Sequence, residues 1–201
     1  MTCLHCTAWR RSLRVRLLAG TLFWVAASIL VAGLSLGKLF RNHVAEQFYT
    51  GLRTHLDQLT ASLVLDGQGQ VALAAPLSDP RLSKPYSGLY WQVDRVVGGD
   101  RPAAAGVLRS RSLWDSVLAV PADSLADGEI HRHRLPGPAG VTLGLLERRV
   151  QIDEAGQGSA WRLIVAADER LMDEPVALFN GALWLALGLL GLGLEIGRAH
   201  V

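Results

Sequence analysis

Residues 17–37 read LLAGTLFWVAASILVAGLSLG, an apolar stretch that contains no Asp, Glu, Lys or Arg. A second uncharged stretch, VALFNGALWLALGLLGLGL, occupies residues 176–194. A helix needs about 20 apolar residues to cross a bilayer core of about 30 Å. The two stretches therefore predict transmembrane helices on either side of residues 38–175, as in a sensor that displays a domain on one side of a membrane.

The charges before the first stretch predict its orientation. Residues 1–16 contain four arginines and no acidic residue. Short basic flanks stay in the cytoplasm. We therefore expect residues 1–16 in the cytoplasm and residues 38–175 in the periplasm, with the chain in the bacterial inner membrane and lipid as its surroundings.

A cleaved signal peptide is the alternative for the first stretch, and it would make the protein a secreted one. Signal cores run for about 7–15 apolar residues and end at small residues. The stretch here is longer, and Lys38-Leu39-Phe40-Arg41 follows it. An uncleaved anchor is the better prediction.

Bulk composition supports a membrane protein and narrows the function classes. Half of the residues are hydrophobic and 19% are charged, and the mean hydropathy is +0.24. No basic patch interleaved with aromatic residues appears, so we expect no nucleic-acid partner. Cys3 and Cys6 form half of a zinc site, without a second pair to complete it, so they are expected to lie in a disordered tail.

The segment between the two stretches predicts an α+β domain. Apolar residues recur every three or four positions from Val44 to Leu63, which indicates an amphipathic helix continuous with the first membrane helix. Turn residues then separate short strand-like pieces. The predicted strands are 63–65, 70–74, 88–94 (half-buried), 107–114, 129–135, 141–150 and 160–167. The first two are expected to form a hairpin around Asp66-Gly67, and the Pro-Gly segment 136–140 is expected to form a tight turn between two strands. A helix is expected to begin at 168–176 and to run into the second membrane stretch.

Four strings of sequence are informative in combination: SGLYWQV (87–93), LRSRSLWD (108–115), LER (146–148) and VAAD (165–168). Together they resemble the periplasmic sensing module of PhoQ-like bacterial two-component sensor histidine kinases, from about Arg11 to Leu192. The resemblance implies a PAS-like domain between two transmembrane helices, a homodimer and a cognate response regulator. It also implies a cytoplasmic kinase core that binds ATP and Mg²⁺.

The 201 residues themselves contain no phosphoacceptor helix pair and no ATP-binding box, so we assign no catalytic, cofactor-binding or metal-ligating residue and expect no kinase activity from them alone. Residues 195–201, EIGRAHV, resemble the in-frame translation of a sequencing adapter. We expect them to be non-native and the gene to continue. The alternatives are a short genuine cytoplasmic tail and a kinase-free two-anchor adaptor or assembly protein of the inner membrane.

Six residues are candidates for ligand sensing. On a strand, His131 and His133 would share one face about 7 Å apart. They could form a metal-binding or proton-sensing pair, although a third metal ligand is lacking. The alternative is a solvated strand face. Arg109 and Arg111 could bind an anionic ligand through bidentate hydrogen bonds. Trp91 and Trp114 could line the same pocket. The alternative is an Arg111–Asp115 pair with Trp114 in the core.

Acidic residues near the second membrane stretch suggest a different cation site. Glu169 and Asp173 would share a helix face and repel unless bridged. A solvated helix start, whose acids complement the helix dipole, is the favoured prediction. Asp123, Asp127 and Glu129 form a second small acidic group.

Overall fold

The computed structural model describes residues 13–67, 70–97, 102–121, 128–154 and 157–199. The chain is α+β, as predicted, with a long helix α1 (Leu13–Ser62), a region of strands, and a second helix α2 (Arg170–Ala199). It divides into two compact units, one of residues 45–173 and the other of the residues before and after them. Cys3, Cys6, Asp123 and Asp127 lie outside the described residues.

The unit that holds both apolar stretches is helical. The rings of Phe40 and Phe179 stack at 4.0 Å between centroids. A Cβ atom at Gly33 would lie 2.7 Å from the Trp184 ring, so glycine permits the close approach of the two helices. Both helices are long and apolar enough to cross a membrane, and their most apolar windows are only 6% buried. The core helix of a soluble protein would bury that surface.

The other unit contains a short hairpin and a five-stranded antiparallel sheet. The hairpin pairs β1 (Leu63–Leu65) with β2 (Val71–Leu73), as predicted. The sheet has the order β4-β3-β7-β6-β5. Its strands are β3 (Leu89–Val96), β4 (Pro102–Arg109), β5 (Ile130–Pro136), β6 (Thr142–Glu154) and β7 (Gln157–Asp168).

The first face of the sheet packs on residues 45–62 of α1. Leu52, Leu56 and Leu59 are buried there, so the predicted amphipathic stripe is core. The sheet contributes Trp91, Val93, Leu146, Trp161, Leu163, Val165 and Ala167 to the same cluster. Burial of apolar area on this face favours folding of the unit, because apolar burial is the dominant favourable term in folding.

The prediction that β3 is half-buried was wrong. Tyr90, Gln92 and Asp94 are buried as completely as the residues that alternate with them. The reason is the segment after β4, which covers the second face of the sheet with Leu113, Leu118 and Val120. A loop contact of this kind leaves no periodic signal in the strand.

The predicted strand 107–114 was wrong in its bounds. β4 ends at Arg109, and residues 111–113 form a 3-10 turn. Ser110 and Ser112 replace the strand ladder, because Ser110 Oγ accepts a hydrogen bond from the Trp91 N–H (3.1 Å) and Ser112 Oγ donates one to the Leu89 carbonyl (2.6 Å). Serine hydroxyls commonly compete with strand pairing in this way.

Candidate functional site

A line of four charged or titratable side chains crosses the second face of the sheet, one from each of four strands. Arg162 Nη2 of β7 lies 2.9 Å from Asp94 Oδ2 of β3. Arg162 Nη1 lies 3.7 Å from Glu147 Oε2 of β6. Glu147 Oε1 is in turn 3.1 Å from His133 Nε2 of β5. We call Asp94, Arg162, Glu147 and His133 the charged row.

The charged row leads from the core to solvent. The side chains of Asp94 and Glu147 are fully buried and that of Arg162 is 5% exposed, whereas that of His133 is 23% exposed. Buried charges are costly unless they are paired and hydrogen-bonded. Asp94 satisfies this condition, since it also accepts hydrogen bonds from the Gly106 N–H (2.7 Å) and Gln92 Nε2 (2.9 Å).

His131 completes a compact group at the exposed end of the charged row. The hairpin of β5 and β6 places His131 directly opposite Glu147 and His133 opposite Leu145. One ligand atom from each of His131, His133 and Glu147 lies within 4.8 Å of the other two. We call these three residues the His–Glu cluster. Imidazole nitrogen and carboxylate oxygen are ligands of Zn²⁺ and related ions.

The turn between β5 and β6 sets this register. The Gly137 N–H donates to the Val141 carbonyl at 2.7 Å, and Pro136 pairs with Thr142. The predicted Pro-Gly turn between two strands is confirmed. Counting outward from this turn would have placed Glu147 opposite His131, which is the signal that sequence reasoning left unused. Asp94 and Arg162 had no such signal, because their pairing joins distant strands.

The other four sequence candidates are not brought together. Trp91 is buried in the core of the first face. Arg109 is paired in register with Gln92 and therefore lies on the second face, where its Nη1 donates to the Ser116 carbonyl (3.3 Å). Arg111 and Trp114 are exposed in the turn after β4. These residues therefore do not line one shared pocket.

The alternative prediction for this region, which placed Trp114 in the core, was also wrong. Trp114 is 54% exposed and adopts a positive φ of 53°, so it is not a core residue. Asp115 accepts a hydrogen bond from the Tyr86 hydroxyl at 2.9 Å. This contact, across 29 residues of sequence, ties the turn after β4 to the loop before β3.

Two acidic residues just before α2, Asp168 and Glu169, have arginine partners. Arg170 Nε donates to Asp168 (2.9 Å), and Arg134 Nε donates to Glu169 (2.6 Å). Hydrogen bonds from the Arg170 side chain and backbone hold the pKa of Asp168 below its ordinary value. Arginine thus supplies the positive charge that a bridging cation would otherwise provide here.

Comparison with known proteins finds similarity to a sensor protein kinase. It is 29% identical over 185 residues to the sensor protein kinase CarS of Pseudomonas aeruginosa, a match that covers 89% of this chain and 36% of that kinase. The chain therefore spans about a third of the length of this relative. No family model and no solved structure matches the chain significantly. The similarity supports an origin like that of sensor histidine kinases.

Proposed function

We propose that this chain is the signal-sensing, membrane-anchoring portion of a two-component sensor histidine kinase. The observation that carries the proposal is the similarity to a sensor protein kinase along 89% of the chain. In the longer protein, a cytoplasmic core that uses ATP and Mg²⁺ would phosphorylate a cognate response regulator.

The proposal includes a topology and a mechanism of the PhoQ-like kind. Residues 1–16 are cytoplasmic, 17–37 and 176–194 cross the inner membrane, and 38–175 form a PAS-like periplasmic sensor in a homodimer. Two exposed apolar helices support the spans, and an antiparallel sheet with a helix on one face supports the PAS-like description. β7 ends at Asp168 and α2 begins at Arg170. Because one residue connects them, a movement of β7 would be transmitted directly to the helix that contains the second span.

A chimera tests the signalling role without knowledge of the stimulus. Residues 1–194 replace the matched region of CarS, and autophosphorylation is measured in isolated membranes with labelled ATP. Leu56→Ala, which opens the core of the first face, is expected to change the phosphorylation level, whereas the exposed control Val107→Ala leaves it unchanged. Equal phosphorylation in all three chimeras, with the proteins equally abundant, would favour the kinase-free adaptor.

Cysteine labelling tests the topology. In a Cys3→Ser/Cys6→Ser background, Trp114→Cys places a thiol at an exposed site of the domain. A membrane-impermeant maleimide is expected to label it in cells whose outer membrane alone is permeabilised. In the unsubstituted chain, which keeps Cys3 and Cys6, the two natural thiols are expected to react only after lysis. The reverse pattern would refute the orientation.

A further inference from the structure

We propose that the His–Glu cluster of His131, His133 and Glu147 binds a divalent transition-metal ion of the zinc type. The binding site is argued from the geometry of this chain. Its use as a stimulus rests on the proposed sensor function, so the inference deepens that proposal by naming a class of ligand.

The separation of the three ligand atoms suits a small ion. Tetrahedral Zn²⁺ with bonds of about 2.0–2.2 Å holds its ligands about 3.3–3.5 Å apart. His133 Nε2 and Glu147 Oε1 are already 3.1 Å apart, and all three atoms fall within 4.8 Å. The side chain of His131 is 31% exposed, so it has room to rotate through the remaining distance.

The carboxylate of the cluster is held in place from behind. Arg162 lies against Glu147 Oε2, and Asp94 holds Arg162 through two hydrogen bonds from the guanidinium. Metal ligands in proteins are typically oriented by such outer partners, whose loss weakens binding by about 10–100-fold. The charged row therefore places a cationic side chain 3.7 Å behind one ligand, while the two histidines lie nearer to solvent.

Strand alternation places Arg132 and Arg134 away from the cluster, whereas Arg149, opposite Arg162 in register, lies on the same face of the sheet as Glu147. Arg132 lies on the first face, with its guanidinium 4.5 Å from the centre of the Tyr49 ring, and Arg134 is bound to Glu169. The second face buries the acidic Asp94 and Glu147 together with the basic Arg162. It also buries Asp168, which is paired with Arg170.

The ligand types decide the class of metal. Two imidazoles and a carboxylate suit Zn²⁺, Ni²⁺ or Cu²⁺, whereas Mg²⁺ and Ca²⁺ prefer oxygen ligands throughout. Three protein ligands leave a further position open. Glu129 Oε2, 3.6 Å from His131 Nε2, is near enough to approach that position. An open site at the surface suits reversible binding.

Zinc binding to the purified full chain in detergent tests the site. The chain carries Cys3→Ser and Cys6→Ser and a histidine-free affinity tag, and Zn²⁺ affinity is measured by competition with a chromophoric chelator. We expect one Zn²⁺ per chain, with Mg²⁺ unable to compete. His131→Ala and His133→Ala are expected to weaken binding by at least about tenfold.

Matched controls separate a ligand role from a loss of folding. His55→Ala removes a histidine of α1 whose partner is Asp79, and its Zn²⁺ affinity is expected to equal that of the parent. Thermal unfolding without metal should be similar for His131→Ala and the parent. Unchanged affinity in both cluster variants, an equal loss in His55→Ala, or equal binding of Mg²⁺ would overturn the site. The binding assay needs no kinase, so its failure leaves the chimera result untouched.

Discussion

Asp94 and Arg162 lie opposite each other on β3 and β7 and form a buried ion pair, with Arg162 Nη2 at 2.9 Å and Nε at 3.3 Å from the same carboxylate oxygen. Arg162 Nη1 also donates to the Pro121 carbonyl at 3.2 Å. This one guanidinium therefore links the sheet, the segment that covers its second face, and the carboxylate of the His–Glu cluster.

Removing Arg162 alone should lower the free energy of unfolding more than removing both Arg162 and Asp94. Arg162→Met leaves Asp94 buried without its partner, and breaking a buried pair costs about 3–5 kcal/mol. The double variant Asp94→Leu/Arg162→Met should recover part of that loss, because neither charge remains. Urea unfolding of the full chain in detergent measures both. A single variant as stable as the parent would contradict the importance of the pair.

Leu56 tests the packing of α1 on the first face. Its side chain is fully buried, and truncation of such a leucine to alanine costs about 2–5 kcal/mol through lost burial and a cavity. Val107, on the exposed surface of β4, is 43% exposed, and Val107→Ala should cost less than about 1 kcal/mol. Equal midpoints of unfolding for the two variants would argue against this packing.

Gly137 tests the turn that sets the register of the His–Glu cluster. A Cβ atom there would lie 2.5 Å from the buried Leu143 side chain, so Gly137→Ala forces a shift that costs about 1–3 kcal/mol. At Gly67, in the β1–β2 turn, a Cβ atom would meet nothing within 4 Å. Gly67→Ala is therefore the matched control, and its midpoint of thermal unfolding should be close to that of the parent.

Asp168 should make stability depend on pH in a defined direction. Its pKa is lowered in the folded state by Arg170, so its contribution is complete above the unfolded pKa of about 4 and is lost as pH falls through the folded pKa. The difference in unfolding free energy between parent and Asp168→Asn should be largest at neutral pH and shrink below about pH 4.

Unfolding by urea at a series of pH values measures this difference. Asp115→Asn changes an exposed carboxylate and is the comparison, with a smaller effect on stability expected at neutral pH. A difference for Asp168→Asn that stays constant from neutral to acid pH would show that the Arg170 contacts do not stabilise the fold.

Local patterns in the sequence were sufficient for the helices and most strands. The apolar spacing from Leu52 to Leu59 follows the period of a helix, and the Pro-Gly turn near Gly137 fixes a hairpin without help from the rest of the chain. The bounds of β4 were missed because Ser110 and Ser112 satisfy backbone groups of β3, a contact that propensity cannot anticipate.

The sequence by itself determined two helices with uncharged apolar stretches, an intervening α+β segment, and a pair of histidines on one face of a strand, because each depends on the periodicity of neighbouring residues. Only the tertiary structure decided what lies behind the carboxylate that the histidines face. The β5–β6 hairpin sets Glu147 beside them, and the order of the sheet places Arg162 and Asp94 behind it. The Asp94–Arg162 contact joins strands that are far apart in sequence, and its register depends on the packing of the whole sheet.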